Sequence, residues 1–164
     1  MSERFMKALG NGVIVTDGAM GTMLLRRGLQ ADKCLELANI EAPATVAQIH
    51  REYVAAGAEL VRTNTFGASP IRLARHGLEG KAEEINTKAV EIAREAAGEQ
   101  ALVLGAIGPI GELLEPYGDI SPQVAETAFR LQAEAFVKAG ADACVVETMA
   151  DISEAVLAVQ AAVA

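Results

Sequence analysis

The chain has no tryptophan, and aromatic residues make up only 4% of it. Alanine, valine and leucine must therefore fill its interior, as they do in parallel sheets covered by helices. Cysteine is nearly absent. Cys34 and Cys144 stand at no framework spacing, which excludes a disulfide scaffold and suits a reducing, cytoplasmic compartment. Positive charge is sparse: 14 Lys and Arg face 22 Asp and Glu, for a net charge of −8, and the longest basic run is Arg26-Arg27. That balance argues against nucleic acid or an anionic membrane as partner. No apolar run is long enough to span a bilayer, and the N-terminus carries no signal-like apolar core. Also missing are G-x-G-x-x-G, the phosphate-loop G-x-x-x-x-G-K-[ST], H-E-x-x-H and G-x-S-x-G, so dinucleotide, phosphate-loop, zincin and serine-elbow chemistry are disfavoured.

What is present is an alternation. Four short apolar runs read as strands: Val13 to Thr16, Leu60 to Thr63, Leu102 to Ala106 and Ala143 to Val146. Their continuity suits strands covered on both faces. Helical patterns lie between them and after the last, over 45–56, 81–97, 121–139 and from Asp151 onward. Pro43 and the Ser121-Pro122 pair serve as start signals, and Asp151-Ile-Ser-Glu154 resembles a capping box. A weak repeat, Val54-Ala-Ala-Gly-Ala-Glu59 and Val137-Lys-Ala-Gly-Ala-Asp142, puts a helix end, a glycine stop and an acid before a strand. The expected fold is α/β, one domain over 1–164, with parallel (β/α) units. Four units make either an open sheet or half of a TIM-type barrel, since a full barrel needs about 250 residues.

In such folds the ligand meets the C-terminal ends of the strands. Those ends carry Asp17-Gly18, the Thr63-Asn64-Thr65-Phe66 cluster, Gly108-Pro109 and Glu147-Thr148. Two carboxylates and close-approach glycines on one rim suit a small zwitterion. Its ammonium would meet Asp17 or Glu147, and its carboxylate would meet loop N–H groups. The plainer alternative is that Asp17 caps the next helix and Glu147 is a surface acid. Side-chain alternation turns Cys144 toward the helices if Glu147 faces the mouth. The same test strains at the second strand: if Thr63 faces the mouth, Arg62 faces the helices, where it needs an acidic partner. His50 and His76 lie away from strand ends and are expected on the surface or in helix packing.

Taken in order, Asp17-Gly-Ala-Met-Gly-Thr22, Asn39 ahead of a proline-started helix, His50-Arg-Glu-Tyr-Val-Ala-Ala-Gly-Ala58, Thr63-Asn-Thr-Phe66, Gly108-Pro109 and Gly140-Ala-Asp142 leading to Glu147-Thr148 resemble the homocysteine S-methyltransferase family, closest to its cobalamin-dependent branch. The resemblance covers roughly residues 8 to 164. It implies a (β/α)₈ barrel that moves a methyl group to the sulfur of homocysteine to give methionine. A zinc ion holds that sulfur as thiolate, and methylcobalamin is one methyl donor among several used by relatives. By resemblance, Asp17 and Glu147 bind the homocysteine ammonium. The backbone of Gly18, Ala19, Met20 and Gly21, with Thr63, holds the carboxyl end, and Asn39 stands at the rim. The family's zinc cysteines lie in G-x-N-C and G-G-C-C motifs that this sequence lacks, so no metal ligand and no catalytic residue is assigned to it. The expectation is the N-terminal, amino-acid-binding half of the barrel, inactive alone. The alternative is a non-catalytic half-barrel completed by a partner chain or by self-association. The loop from Glu112 to Asp119 either lines the donor side or is a surface excursion.

Overall fold

The computed structural model describes residues 1–163 of the chain. Its centre is a three-stranded parallel sheet, β1 (Leu60–Arg62), β2 (Leu102–Ile107) and β3 (Ala143–Val146), in the order β1-β2-β3. Leu60 pairs with Leu102, and Leu104 with Ala143. The segment expected as a first strand, Val13 to Thr16, is not a regular strand. It lies parallel to β1 with one bridge, Thr16 to Leu60. Glu59 and Asp17 donate their N–H groups to Val15 O and Leu60 O. No strand lies on its other side among the described residues, and Val13 and Val15 are exposed. A β-like segment with one neighbour and an unburied outer face gains too little to extend. Three strands and a bridged segment therefore stand where four strands were expected.

The helices are α1 (Glu3–Gly10), α2 (Met20–Arg26), α3 (Ala38–Glu41), α4 (Pro43–Ala55), α5 (Pro70–Ala74), α6 (Ala82–Ala97), α7 (Pro122–Lys138) and α8 (Ile152–Val163). Helices α4, α6, α7 and α8 match the sequence pattern. Ser121 and Pro122 open α7 as read, the serine oxygen accepting the Val124 N–H. The Asp151 box does not close. Asp151 Oδ1 accepts from Ser153 N at 2.8 Å, but Glu154 turns away and accepts the Ile110 N–H at 2.7 Å, pinning the loop after β2.

One face of the sheet packs against helices. Val61, Val103, Ile107, Phe136 and Ala158 share a cluster that Cys144 and Val146 join. Cys144 thus faces the helices, as alternation required. Gly105 makes this packing close: a Cβ there would run into the ring of Phe136. The other face holds Leu60, Leu102, Leu104, Ala143 and Val145, covered from below by Phe5 and Ala8 of α1. The repeated acid ahead of β1 and β3 has a structural meaning. Asp142 N donates to Val103 O while Asp142 Oδ2 accepts from Val103 N; Glu59 N donates to Val15 O while Glu59 Oε2 accepts from Val15 N. Each acid satisfies the backbone of the preceding neighbour at the sheet's base.

His50, on α4, is fully buried rather than at the surface, and neither ring nitrogen has a partner. Burial pulls its pKa down to about 4, so it packs as a neutral ring.

Candidate functional site

The site is built on Arg62, the last residue of β1. Leu60 faces the inner side of the sheet, so alternation carries Arg62 to the same side, one pleat higher. There it meets the two acids that end the neighbouring segments. Arg62 Nε donates to Asp17 Oδ1 at 3.0 Å and Nη1 to Glu147 Oε2 at 2.7 Å. The backbone N–H of Arg62 adds a bond to Asp17 Oδ2 at 2.9 Å. The strain noted at this strand is thereby resolved: the cation faces the mouth, and two carboxylates neutralise it. Burial works against the charged guanidinium, but Asp17 and Glu147 outweigh it and its pKa stays raised.

The acids are not equivalent. The Asp17 side chain is 2% exposed, and the Glu147 side chain 24%. Asp17 lies behind the guanidinium. It caps no helix, because α2 starts from Ala19 with no side-chain cap. Glu147 is held at the rim by Glu147 N donating to Ile107 O at 3.0 Å. The chain then turns through Thr148 at φ 61, a left-handed conformation uncommon for a β-branched residue. Glu147 is therefore a fixed group and not a free surface acid.

Beside this cluster opens a cavity of about 400 Å³, lined by Gly18 to Thr22, Leu35, Glu36, Arg62 to Phe66 and Glu147. Of the residues singled out in the sequence, Gly18, Ala19, Met20, Gly21, Thr63 and Glu147 line it, while Asp17 is screened from it by Arg62. Gly18 brings the turn close to Tyr53: a Cβ there would sit 2.8 Å from Tyr53 Oη, and the ring would have to shift. Tyr53 in turn donates to Ala19 O at 3.3 Å and props the turn.

Thr63 and Asn39 serve the frame. Thr63 Oγ1 accepts the Ala106 N–H at 3.1 Å and lies 2.7 Å from Thr65 Oγ1, which donates to Ala106 O. Both hydroxyls replace strand pairing where β1 ends. Asn39 is 1% exposed and does not line the cavity. Its amide donates to Asn64 O at 2.8 Å, and Asn64 Nδ2 donates back to Asn39 Oδ1 at 3.2 Å. Gln132 of α7 donates to Thr65 O and to Asn86 Oδ1. A buried polar spine thus holds the 63–66 loop from behind.

The loop from Glu112 to Asp119 does not line the cavity. Its bridge between Leu114 and Ile120 closes a surface excursion with Tyr117 exposed, and Arg75 ties it down through Glu112 at 2.7 Å.

Zinc, the metal implied by the resemblance, needs three or four ligands drawn from Cys, His, Asp or Glu. Among the described residues no three His, Cys, Asp or Glu come together to hold a metal. Burial and then Glu36 push the Cys34 thiol up to about 11, and burial raises that of Cys144. One buried and one half-buried thiol in different clusters do not fit the ion. No helix is long and apolar enough to cross a membrane among the described residues.

Arg62 is the residue sequence reasoning missed. The available signal was the misfit itself: a cation one residue before a strand end, between two strand ends that each stop on an acid.

Residues 14–164 match the family model for homocysteine S-methyltransferase. Methionine synthases from Mycobacterium leprae and Mycobacterium tuberculosis are each 35% identical to the chain, over 90% of it and 13% of their own length. Among solved structures, the metallated form of the homocysteine methyltransferase MmuM from Escherichia coli superposes with a TM-score of 0.75 at 31% identity, covering 90% of this chain and 58% of that one. Its oxidized form gives 0.72 at 30% identity, covering 87% and 55%. The chain therefore spans only part of each relative. A parallel sheet with these strand ends, and a match from residue 14 onward, place the chain in the homocysteine S-methyltransferase family.

Proposed function

We propose that this chain is the amino-acid-binding part of an enzyme that transfers a methyl group to the thiol of homocysteine, giving methionine. The observation that carries the reading is the rim itself. Glu147, Arg62 and the Gly18–Gly21 turn border one cavity at the C-terminal end of a parallel sheet. Asp17, Glu147 and Arg62 together carry one net negative charge, which favours an ammonium beside Glu147. Glu147 Oε2 takes Arg62, and its second oxygen is the group for that ammonium. Asp17 contributes from behind, by fixing Arg62 and lending its charge. Main-chain N–H groups of the turn meet the far side of the ligand. A free thiol of pKa near 8.5 is mostly protonated at neutral pH. Its activation falls to groups outside this set, in keeping with the zinc of the family resemblance, and methylcobalamin remains one candidate donor.

Titration calorimetry of the chain with homocysteine, with and without zinc, tests the reading. Binding heat that weakens about tenfold in Glu147→Gln is expected, the loss of one charge-assisted bond. Absence of heat under both conditions would refute it.

A second reading, a half-barrel module completed by a second copy, draws on the open edges. Val13 is 94% exposed beside β1, and at the other side Val137 and Val163 are 72% and 79% exposed. Exposed edges and valines favour association. Light scattering behind size exclusion separates the outcomes: a dimer supports it, and a monomer at high concentration removes it.

A further inference from the structure

We infer that Arg62 reads the carboxylate of the ligand and so makes the cavity selective for α-amino acids over simple amines. The inference rests on the amino-acid-binding function proposed above and adds a specificity residue to it. Among the described residues, Arg62 is the one cationic side chain on the cavity wall, where the other charged groups, Glu36 and Glu147, are acids. A zwitterion entering here has no other positive side chain to meet. The guanidinium is firmly held at one end and loosely at the other. Nε and Nη1 make bonds of 3.0 and 2.7 Å to Asp17 and Glu147, whereas Nη2 reaches only the carbonyls of Asp17 and Gly18, at 3.4 and 3.5 Å. Nη2 is thus a charged donor with poor partners on a side chain that is 29% exposed. A planar, always charged donor fork matches a carboxylate in shape. The buried Asp17 orients Arg62 without taking up ligand space, and Glu147 shares its charge between the arginine and the ligand's ammonium.

The test is calorimetric, with four probes: homocysteine, norvaline (its methyl-for-thiol analogue), and their counterparts without the carboxylate, 3-aminopropane-1-thiol and butylamine. Wild type is expected to prefer each amino acid over its amine by at least tenfold, the scale of one hydrogen bond to a charged group. Arg62→Met is expected to erase that preference while leaving amine binding within about threefold. Arg62→Lys, which keeps charge but loses the fork, should fall between. Because removing Arg62 strands a buried carboxylate, Asp17→Asn with Arg62→Met is measured alongside, with circular dichroism as the folding check. A preference that survives in the folded double variant overturns the inference. So does tighter amino-acid binding in the variants, which would make Arg62 a competitor for the acids. Should wild type bind norvaline and not homocysteine, the homocysteine function fails while the role of Arg62 stands. Wild type that binds none of the four overturns both.

Discussion

The base and the rim of the sheet each carry a buried aspartate that accepts a strand N–H and an arginine, and the two differ in what else the arginine does. At the base, Asp142 takes the Val103 N–H at 2.9 Å, Arg94 at 2.7 Å and the Ser2 hydroxyl at 2.8 Å. The same Nη2 of Arg94 also donates to Gly140 O at 2.8 Å. At the rim, Asp17 takes the Arg62 N–H at 2.9 Å and Arg62 Nε at 3.0 Å, but Arg62 extends to a second acid across a cavity. The base closes on itself. The rim leaves one carboxylate oxygen and one guanidinium nitrogen under-used. The same ion-pair chemistry makes a staple at the base, where Arg94 meets one acid, and a candidate binding surface at the rim, where Arg62 bridges two acids beside a cavity.

Breaking the staple should produce the largest loss. Asp142→Ala strands Arg94, the Ser2 hydroxyl and a buried strand N–H together, and is expected to cost on the order of 3 kcal/mol in urea unfolding. Amino-acid binding by the surviving folded fraction should be unchanged. An acid titration sharpens the comparison next. His50 has its pKa lowered to about 4 from 6.5, so the unfolded chain binds a proton that the folded one refuses. Stability contributed by neutral His50 is present above pH 6.5 and is lost as pH falls toward 4, by roughly 3 kcal/mol in all. Asp142, whose pKa is lowered below 3.8 against its own burial by Val103 N–H, Arg94 and Ser2, gives way only below that. The first acid limb should therefore vanish in His50→Leu, followed by urea midpoints between pH 7 and 4. A limb that persists in His50→Leu would show that His50 is not its source.

Asp17→Asn should cost about 1 to 2 kcal/mol, because its amide would set a donor against Arg62 Nε, and it should weaken amino-acid binding. The smallest stability effect belongs to Glu147→Gln. The Glu147–Arg62 pair is partly exposed on both sides, so under 1 kcal/mol is expected, even though binding falls about tenfold. A stability loss from Glu147→Gln as large as that from Asp142→Ala would abolish the distinction between the two ends.

Much of this was legible in the sequence, for identifiable reasons. β2, β3 and the four long helices announced themselves through apolar runs, the Ser121-Pro122 start and glycine stops, which are local signals. The side of Cys144 followed by alternation once Glu147, at a strand end, was set facing the mouth. The Val13 to Thr16 run looked as strand-like as the others. Yet a strand forms only where neighbours satisfy it, and that information lies outside the run. Helix α1 went unread because the N-terminus was tested only for a signal-like apolar core. In the fold Ser2 caps the helix and ties it to Asp142. The partners of Arg62 lie 45 and 85 residues away, and no local pattern names them. Asn39 illustrates the same limit: a motif position marked it, and only packing could assign it to the support of the 63–66 loop.

Gly105 lies on the helix-facing side of β2, yet its missing methyl group reaches the cavity mechanically. The ring of Phe136 occupies that space, and one turn back along the same helix Gln132 grips Thr65 O. Adding a single carbon at 105 would lever α7 outward and pull on the 63–66 loop that lines the cavity, so a substitution on the far side of the sheet would be felt as a change in cavity shape.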